Sequence, residues 1–196
     1  MPSYKSYCWS LGTTSFRMVE FNKKIEEQLR LLNQFWHTPE YTDEKWSSNS
    51  AIQVAYYNFI REQGFIEEKD ALRKDKDARE KTSGLVDLGI INDERRLTDA
   101  GCALLAIAES GNFSRDNILR IPADSFTYFK QLLKSSCSFE NNNVRPFAVL
   151  AYILSEIGEI SKSEFTYLLP LAINKEKTER IVNYIKAIRD NNATID

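Results

Sequence analysis

Residues 67–110 read EEKDALRKDKDAREKTSGLVDLGIINDERRLTDAGCALLAIAES (Glu67–Ser110), and the changes of pattern inside this stretch decide the fold. Residues 68–81 are charged and helix-favouring, with only Ala71, Leu72 and Ala78 to rest on a core. This predicts a helix with a thin apolar stripe. Leu85, Val86, Leu88, Ile90 and Ile91 then form an apolar run that stops at Asn92-Asp93. Asn92 to Arg96 is a short polar turn with Leu97 on its far side, so the run predicts a β-hairpin with a charged tip. Thr98 is placed to cap a further helix whose apolar positions are Ala100, Cys102, Leu104, Leu105 and Ala108.

Upstream, Ile25, Leu29, Leu32 and Trp36 recur at helical spacing and Pro39 closes the pattern, which predicts a helix from Phe21 to Trp36. A second helix is predicted from about Glu44 to Gln63, with Ile52, Ala55, Tyr56, Phe59 and Ile60 inside and Gly64 as its stop. At that spacing Tyr56 and Phe59 read as core, although aromatic side chains also stack on bases. Three helices, a charged-tip hairpin and a closing helix make the plan of a winged helix-turn-helix. In that plan the third helix is offered to the major groove and the hairpin tip flanks phosphates.

Downstream, Gly111 to Asp124 is irregular. Helices are predicted over Ser125–Lys134 and Arg145–Ile157, with a break at Gly158. Ser161-Lys-Ser-Glu164 has capping-box spacing for a short helix through Leu169. Lys175–Asp190 reads as the last helix, with Ile181, Val182, Ile185 and Ile188 inside. Asn141-Asn142-Asn143 reads as a turn, though asparagine also pairs with adenine. The expected fold is mainly α: an N-terminal arm and winged-helix domain over 1–112, then a second helical, helix-turn-helix-like domain over 113–196.

Composition narrows the chemistry. The 196 residues are 42% hydrophobic and 12% aromatic, enough for a packed core. No apolar run reaches the length of a membrane span and no signal-peptide core is present, so a soluble, cytoplasmic protein is expected. Cys8, Cys102 and Cys137 are widely spaced, and His37 is the only histidine. A zinc site of the usual ligands cannot be assembled from them, and no metal site is expected in this chain. The formal net charge of −2 gives no global pull toward nucleic acid, so local charge must decide.

Three segments carry a resemblance. Trp9-Ser-Leu-Gly-Thr-Thr-Ser-Phe-Arg17, then Lys81-Thr-Ser83-Gly84-Leu-Val with Leu97-Thr-Asp-Ala-Gly101, then Arg145-Pro-Phe with Gly158-Glu-Ile-Ser161-Lys, occur in this order. Together they resemble the AlwI-like restriction endonucleases, type IIS enzymes related to single-strand nicking endonucleases. The resemblance implies a DNA-recognition region of small helical domains, followed by a separate PD-(D/E)xK nuclease domain that uses Mg²⁺. It also implies a short asymmetric site on double-stranded DNA, with cleavage nearby. The chain ends at Asp196, so the expectation is a recognition fragment, monomeric, without catalytic residues or cofactor of its own. Pro39-Glu40 and Glu67-Glu68-Lys69 do match a loose PD-(D/E)xK spacing. However, that chemistry needs converging strands, and the intervening residues read as helix.

Candidate DNA contacts follow. Arg73, Lys74, Lys76, Arg79 and Lys81 lie on the charged helix, with Ser83 just beyond. Guanidinium pairs well with guanine O6 and N7. Asp70, Asp75, Asp77 and Glu80 nearly cancel that charge, so a solvated face is the competing reading; the hairpin and the resemblance favour DNA. Arg95 and Arg96 at the hairpin exit fit phosphates or simple turn solubility equally well. Lys175 and Lys177, near Lys162 and Arg180, sit at helix starts that favour phosphate; packing against a nuclease domain is the other reading. Ser10, Thr13, Thr14 and Arg17 form an arm anchored by Trp9, which also suits a helix cap. Two functions of other classes fit the same plan: a dimeric winged-helix transcription regulator on a palindromic site, and a winged-helix protein-interaction module.

Overall fold

The computed structural model describes residues 20–67, 69–139 and 141–191, which divide into two compact units, 20–131 and 132–191. It is mainly helical, as the sequence predicts. The first unit holds α1 (Phe21–His37), α2 (Ser50–Glu62), α3 (Lys74–Asp87), α4 (Asp99–Ser110) and most of α5 (Ala123–Lys134). The second holds a hairpin of β1 (Cys137–Phe139) and β2 (Asn142–Val144), then α6 (Pro146–Ile157) and α7 (Lys175–Asp190).

Helix α1 buries Ile25, Leu29, Leu32 and Trp36 as their spacing requires, and adds Leu31 and Phe35. Each such side chain removed from water is worth about 1.5–3 kcal/mol. Phe35 centres an aromatic cluster, with Trp36, Tyr41, Tyr56 and Phe59 all within 5.7 Å between ring centroids. Trp46 closes the cluster over Trp36 and Tyr56. Tyr56 and Tyr57 are fully buried, so these aromatics form core.

Helix α2 begins six residues later than Glu44. The Glu94 carboxylate accepts from the Trp46 and Ser47 amides at 2.6 and 3.2 Å, and Ser48 takes a left-handed backbone (φ 59°). That tie, fixed 48 residues away in sequence, holds 44–49 out of the helix, and Asn49 caps at Ile52 instead. Eleven residues then separate α2 from α3, more than the three or four of a helix-turn-helix turn.

The apolar run is corrected most. Residues 85–87 are not strand but the last turn of α3, since Leu85 completes the buried Ala78–Thr82–Leu85 stripe. Gly89, at φ +66°, then stops the helix. Its N–H reaches the Val86 carbonyl at 2.8 Å and the Ile90 N–H reaches Leu85 at 3.0 Å, a Schellman termination. Gln131 donates to the Leu88 and Gly89 carbonyls at 3.0 and 3.1 Å and so covers the helix end. What is left of the expected hairpin is one antiparallel bridge, Ile91 to Leu97, around the turn of Asn92–Arg96. Thr98 caps α4 as expected, accepting from Gly101 while donating to the Gly89 and Ile90 carbonyls.

In the second unit β1 and β2 pair antiparallel through Ser138 and Asn143, a hairpin in place of the expected simple turn. Pro146 opens α6 at a position where no N–H is needed, and Gly158 (φ +80°) ends it. The expected capping box is present. Ser161 Oγ accepts from the Glu164 amide at 3.2 Å, and Glu164 accepts from the Ser161 amide at 2.6 Å. The turn it starts is wide, π-like over Glu164–Leu168, and tightens to 3-10 over Leu169–Leu171. Arg189 forks onto Glu164 at 3.0 and 2.8 Å and reaches the Ile157 and Glu159 carbonyls, tying α7 to the Gly158 turn. Ile153, Leu169 and Val182 pack as one cluster, and Ala172, Ile181 and Ile185 as another.

Candidate nucleic-acid interface

Helix α3 packs on α2 through Ala78, Thr82 and Leu85, and this leaves its charged side chains on the surface. Each expected contact on it has an acidic or polar partner. Arg73 forks onto Asp75 at 3.1 and 2.9 Å. Lys74 lies 3.1 Å from Asp70, donates to Asn58, and sits over the Tyr57 ring. Lys76 pairs with Glu80 at 3.5 Å and Lys81 with Asp77 at 3.8 Å. Arg79 bridges Asp75 and Gln53. Ser83 donates to the Glu80 carbonyl within its own helix. The Arg73 guanidinium holds the Asp75 carboxyl well below the usual carboxylate range.

Exposed pairs of this kind are worth about 0–1 kcal/mol each. A phosphate, with charge-assisted bonds of its own, can therefore take the cation at small cost. Lys76 and Arg73 are the most exposed of the five, at 60% and 68% of their side chains, and exchange most easily.

Arg95 and Arg96, in the turn after α3, are held differently. Arg95 Nε donates to Thr82 Oγ1 at 3.0 Å and its Nη1 to the Asp93 carbonyl at 2.7 Å, with the guanidinium over Trp46. Burial pushes its pKa down. Its own carbonyl accepts from Trp36 Nε1 at 2.8 Å. Arg96 lies 4.3 Å from the Trp36 ring centre and donates to the Thr42 and Glu44 carbonyls at 2.6 and 3.1 Å. Both side chains join the turn to the aromatic cluster. The sequence hint was the tryptophans at 36 and 46, whose faces attract guanidinium.

In the second unit Lys175 opens α7, largely exposed and 3.7 Å from Glu179. The Lys177 amide donates to the Asn174 cap at 2.9 Å. Ser10, Thr13, Thr14 and Arg17 lie outside the described residues. α3 and the start of α7 belong to different units, so the structure brings together the α3 set and, separately, the α7 pair.

Among the described residues, the loose PD-(D/E)xK spacing does not assemble a Mg²⁺ centre. Glu40 and Glu67 are separated by helix α2, not carried on adjacent strands, and Glu68 lies outside the described residues. Among the described residues no group of three or more His, Cys, Asp or Glu is arranged to hold a metal ion. No described helix is long and apolar enough to cross a membrane.

These features define a mainly helical protein that displays basic side chains along one helix and at the start of another. The chain belongs to the AlwI restriction endonuclease family, whose model matches residues 86–196, more than half of its length. No curated protein and no solved structure matches it. The match takes in the Leu97–Gly101 segment, the bridge and the whole second unit, while most of α3 precedes it. Membership gives the chain a place among site-specific nucleases of restriction-modification systems, with DNA as its partner.

Proposed function

We propose that these residues form the DNA-recognition part of a type IIS enzyme, reading a short asymmetric duplex site while cleavage is carried by a nuclease site outside them. The observation that carries this is α3. One face of the helix is packed on α2, with Lys74 and Arg79 also bonded to Asn58 and Gln53 of α2, while Arg73, Lys76 and Lys81 are held by surface pairs that a phosphate row can replace. The Mg²⁺-dependent step belongs to the nuclease part, and the arm with Ser10, Thr13, Thr14 and Arg17 adds contacts to the same duplex. Whether one or both strands are cut rests with the nuclease part.

The test is selection of bound duplexes from a random pool, followed by incubation of the chain with the selected duplex and Mg²⁺. An asymmetric consensus, bound by one copy and left uncut, is the expected outcome. A palindromic consensus bound by two copies points to a dimeric regulator. Binding that does not weaken with salt points to a protein-interaction module.

A further inference from the structure

Strand β2 and the first turns of α6 and α7 line an open cleft of about 540 Å³ within the second unit. Its floor is apolar, made by Val144, Val149, Ala172 and Ile173, and the Tyr152 ring, 42% exposed, forms part of its wall. Arg145 and Lys175 also line it, each at the first turn of a helix whose leading N–H groups carry partial positive charge. The acidic side chain among the lining, Glu179, lies 3.7 Å from Lys175 and is held by it. Asn143 brings a carboxamide from the exposed side of β2.

Each part of this lining asks for something different. An apolar floor with an aromatic wall suits a flat ring, since stacking on tyrosine is sequence-tolerant and worth about 1–3 kcal/mol per base. Two cations beside two helix starts suit an anion. A carboxamide suits a base edge. An apolar peptide would use the floor and leave the cations idle; a phosphate row would use the cations and leave the floor dry. The volume is that of a pocket for one small molecule and is too small for a duplex. One chemical unit satisfies all three demands.

From this juxtaposition we infer that the cleft takes a single unpaired nucleotide of the DNA, its base against Tyr152 and the apolar floor, its phosphate at Arg145 and Lys175. The inference rests on the DNA-recognition reading above and adds to it an extruded or single-stranded nucleotide held by the second unit.

The experiment titrates the isotope-labelled full chain with each of the four deoxynucleoside monophosphates, and separately with inorganic phosphate and a deoxynucleoside. Duplex affinity is measured in parallel. Expected are amide shifts at residues 143–152 and 173–179, stronger for nucleotide than for phosphate or nucleoside alone. Arg145→Ala and Lys175→Ala should weaken nucleotide binding by about tenfold, as for a charge-assisted bond lost. Tyr152→Ala should weaken nucleotide but not phosphate. Arg145 makes no side-chain cap on α6, so its removal leaves the helix start intact, which melting curves verify. Duplex binding by the native chain that is unchanged in all three variants, with no nucleotide shifts, overturns the cleft and leaves the recognition reading standing. Nucleotide shifts in a chain with no duplex affinity do the reverse. Shifts with phosphate as large as with nucleotide reduce the cleft to an anion site and overturn the base-binding part.

Discussion

Gly101 abuts the Ile90 carbonyl: a Cβ at Gly101 would stand 2.2 Å from that oxygen. The oxygen is already fixed, since the Thr98 amide and hydroxyl donate to it at 3.0 and 2.9 Å. The Leu97–Gly101 segment is thus a lock between the turn after α3 and the start of α4.

Gly101→Ala is expected to destabilise the first unit by about 1–3 kcal/mol, the cost of overpacking where backbone must move. Urea unfolding measures it. A loss below about 0.5 kcal/mol would show that the contact relaxes freely.

Arg95 should behave as scaffold. Arg95→Ala removes two donated bonds and the Trp46 contact, and is expected to lower stability by about 1–3 kcal/mol. Arg95→Lys should not restore it, because an ammonium lacks the planar fork that spans Thr82 and Asp93. Thermal melting of the pair decides.

Arg73 and Lys76 should behave oppositely. Their alanine variants are expected to melt within about 0.5 kcal/mol of the native chain. Each should reduce the slope of log affinity against log salt for duplex by about one. Unchanged slopes would return α3 to a solvated face.

Glu26 and Asp124 supply a pH dependence. Glu26 Oε1 and Asp124 Oδ1 are shut from solvent without hydrogen-bond partners among the described residues, and Tyr128 Oη is in the same condition. Asn22 donates to the other Asp124 oxygen at 2.9 Å. Burial, then the Asp124 charge, raises the Glu26 pKa above its ordinary value of 4.5, and Arg30 only partly opposes this. The folded state therefore binds the proton more tightly than the unfolded one. Stability from this group is fully present below about 4.5 and is lost as pH rises through the higher folded value. Glu26→Gln is expected to raise the melting temperature at neutral pH and to flatten that decline; an unchanged profile would remove Glu26 as its source.

Much of the helical plan was legible because it is local. The spacing in α1 and α7, the Thr98 cap, the Ser161–Glu164 box and the stops at Gly64 and Gly158 depend only on neighbours within a turn or two. The boundary of α3 was misread because Leu85-Val86 suits strand and helix equally. Gly89 was the available signal, a left-handed stop placed where Leu85 ends a helical stripe. The candidate contacts on α3 were legible as residues, but their ion pairs were not assigned one by one, because Asp70 and Asp75 each face more than one cation.

By itself, then, the sequence determined a mainly helical chain, its caps and stops, and a helix too polar to be buried, since period, capping and charge act over a few residues. Tertiary structure alone decided that Glu94 would keep 44–49 out of α2, and that Arg95 and Arg96 would fold back onto Trp46 and Trp36. It also brought Arg145 and Lys175 to one cleft. Those outcomes join groups tens of residues apart, and distance in the chain carries no information about which of many possible partners packing will bring within 3 or 4 Å.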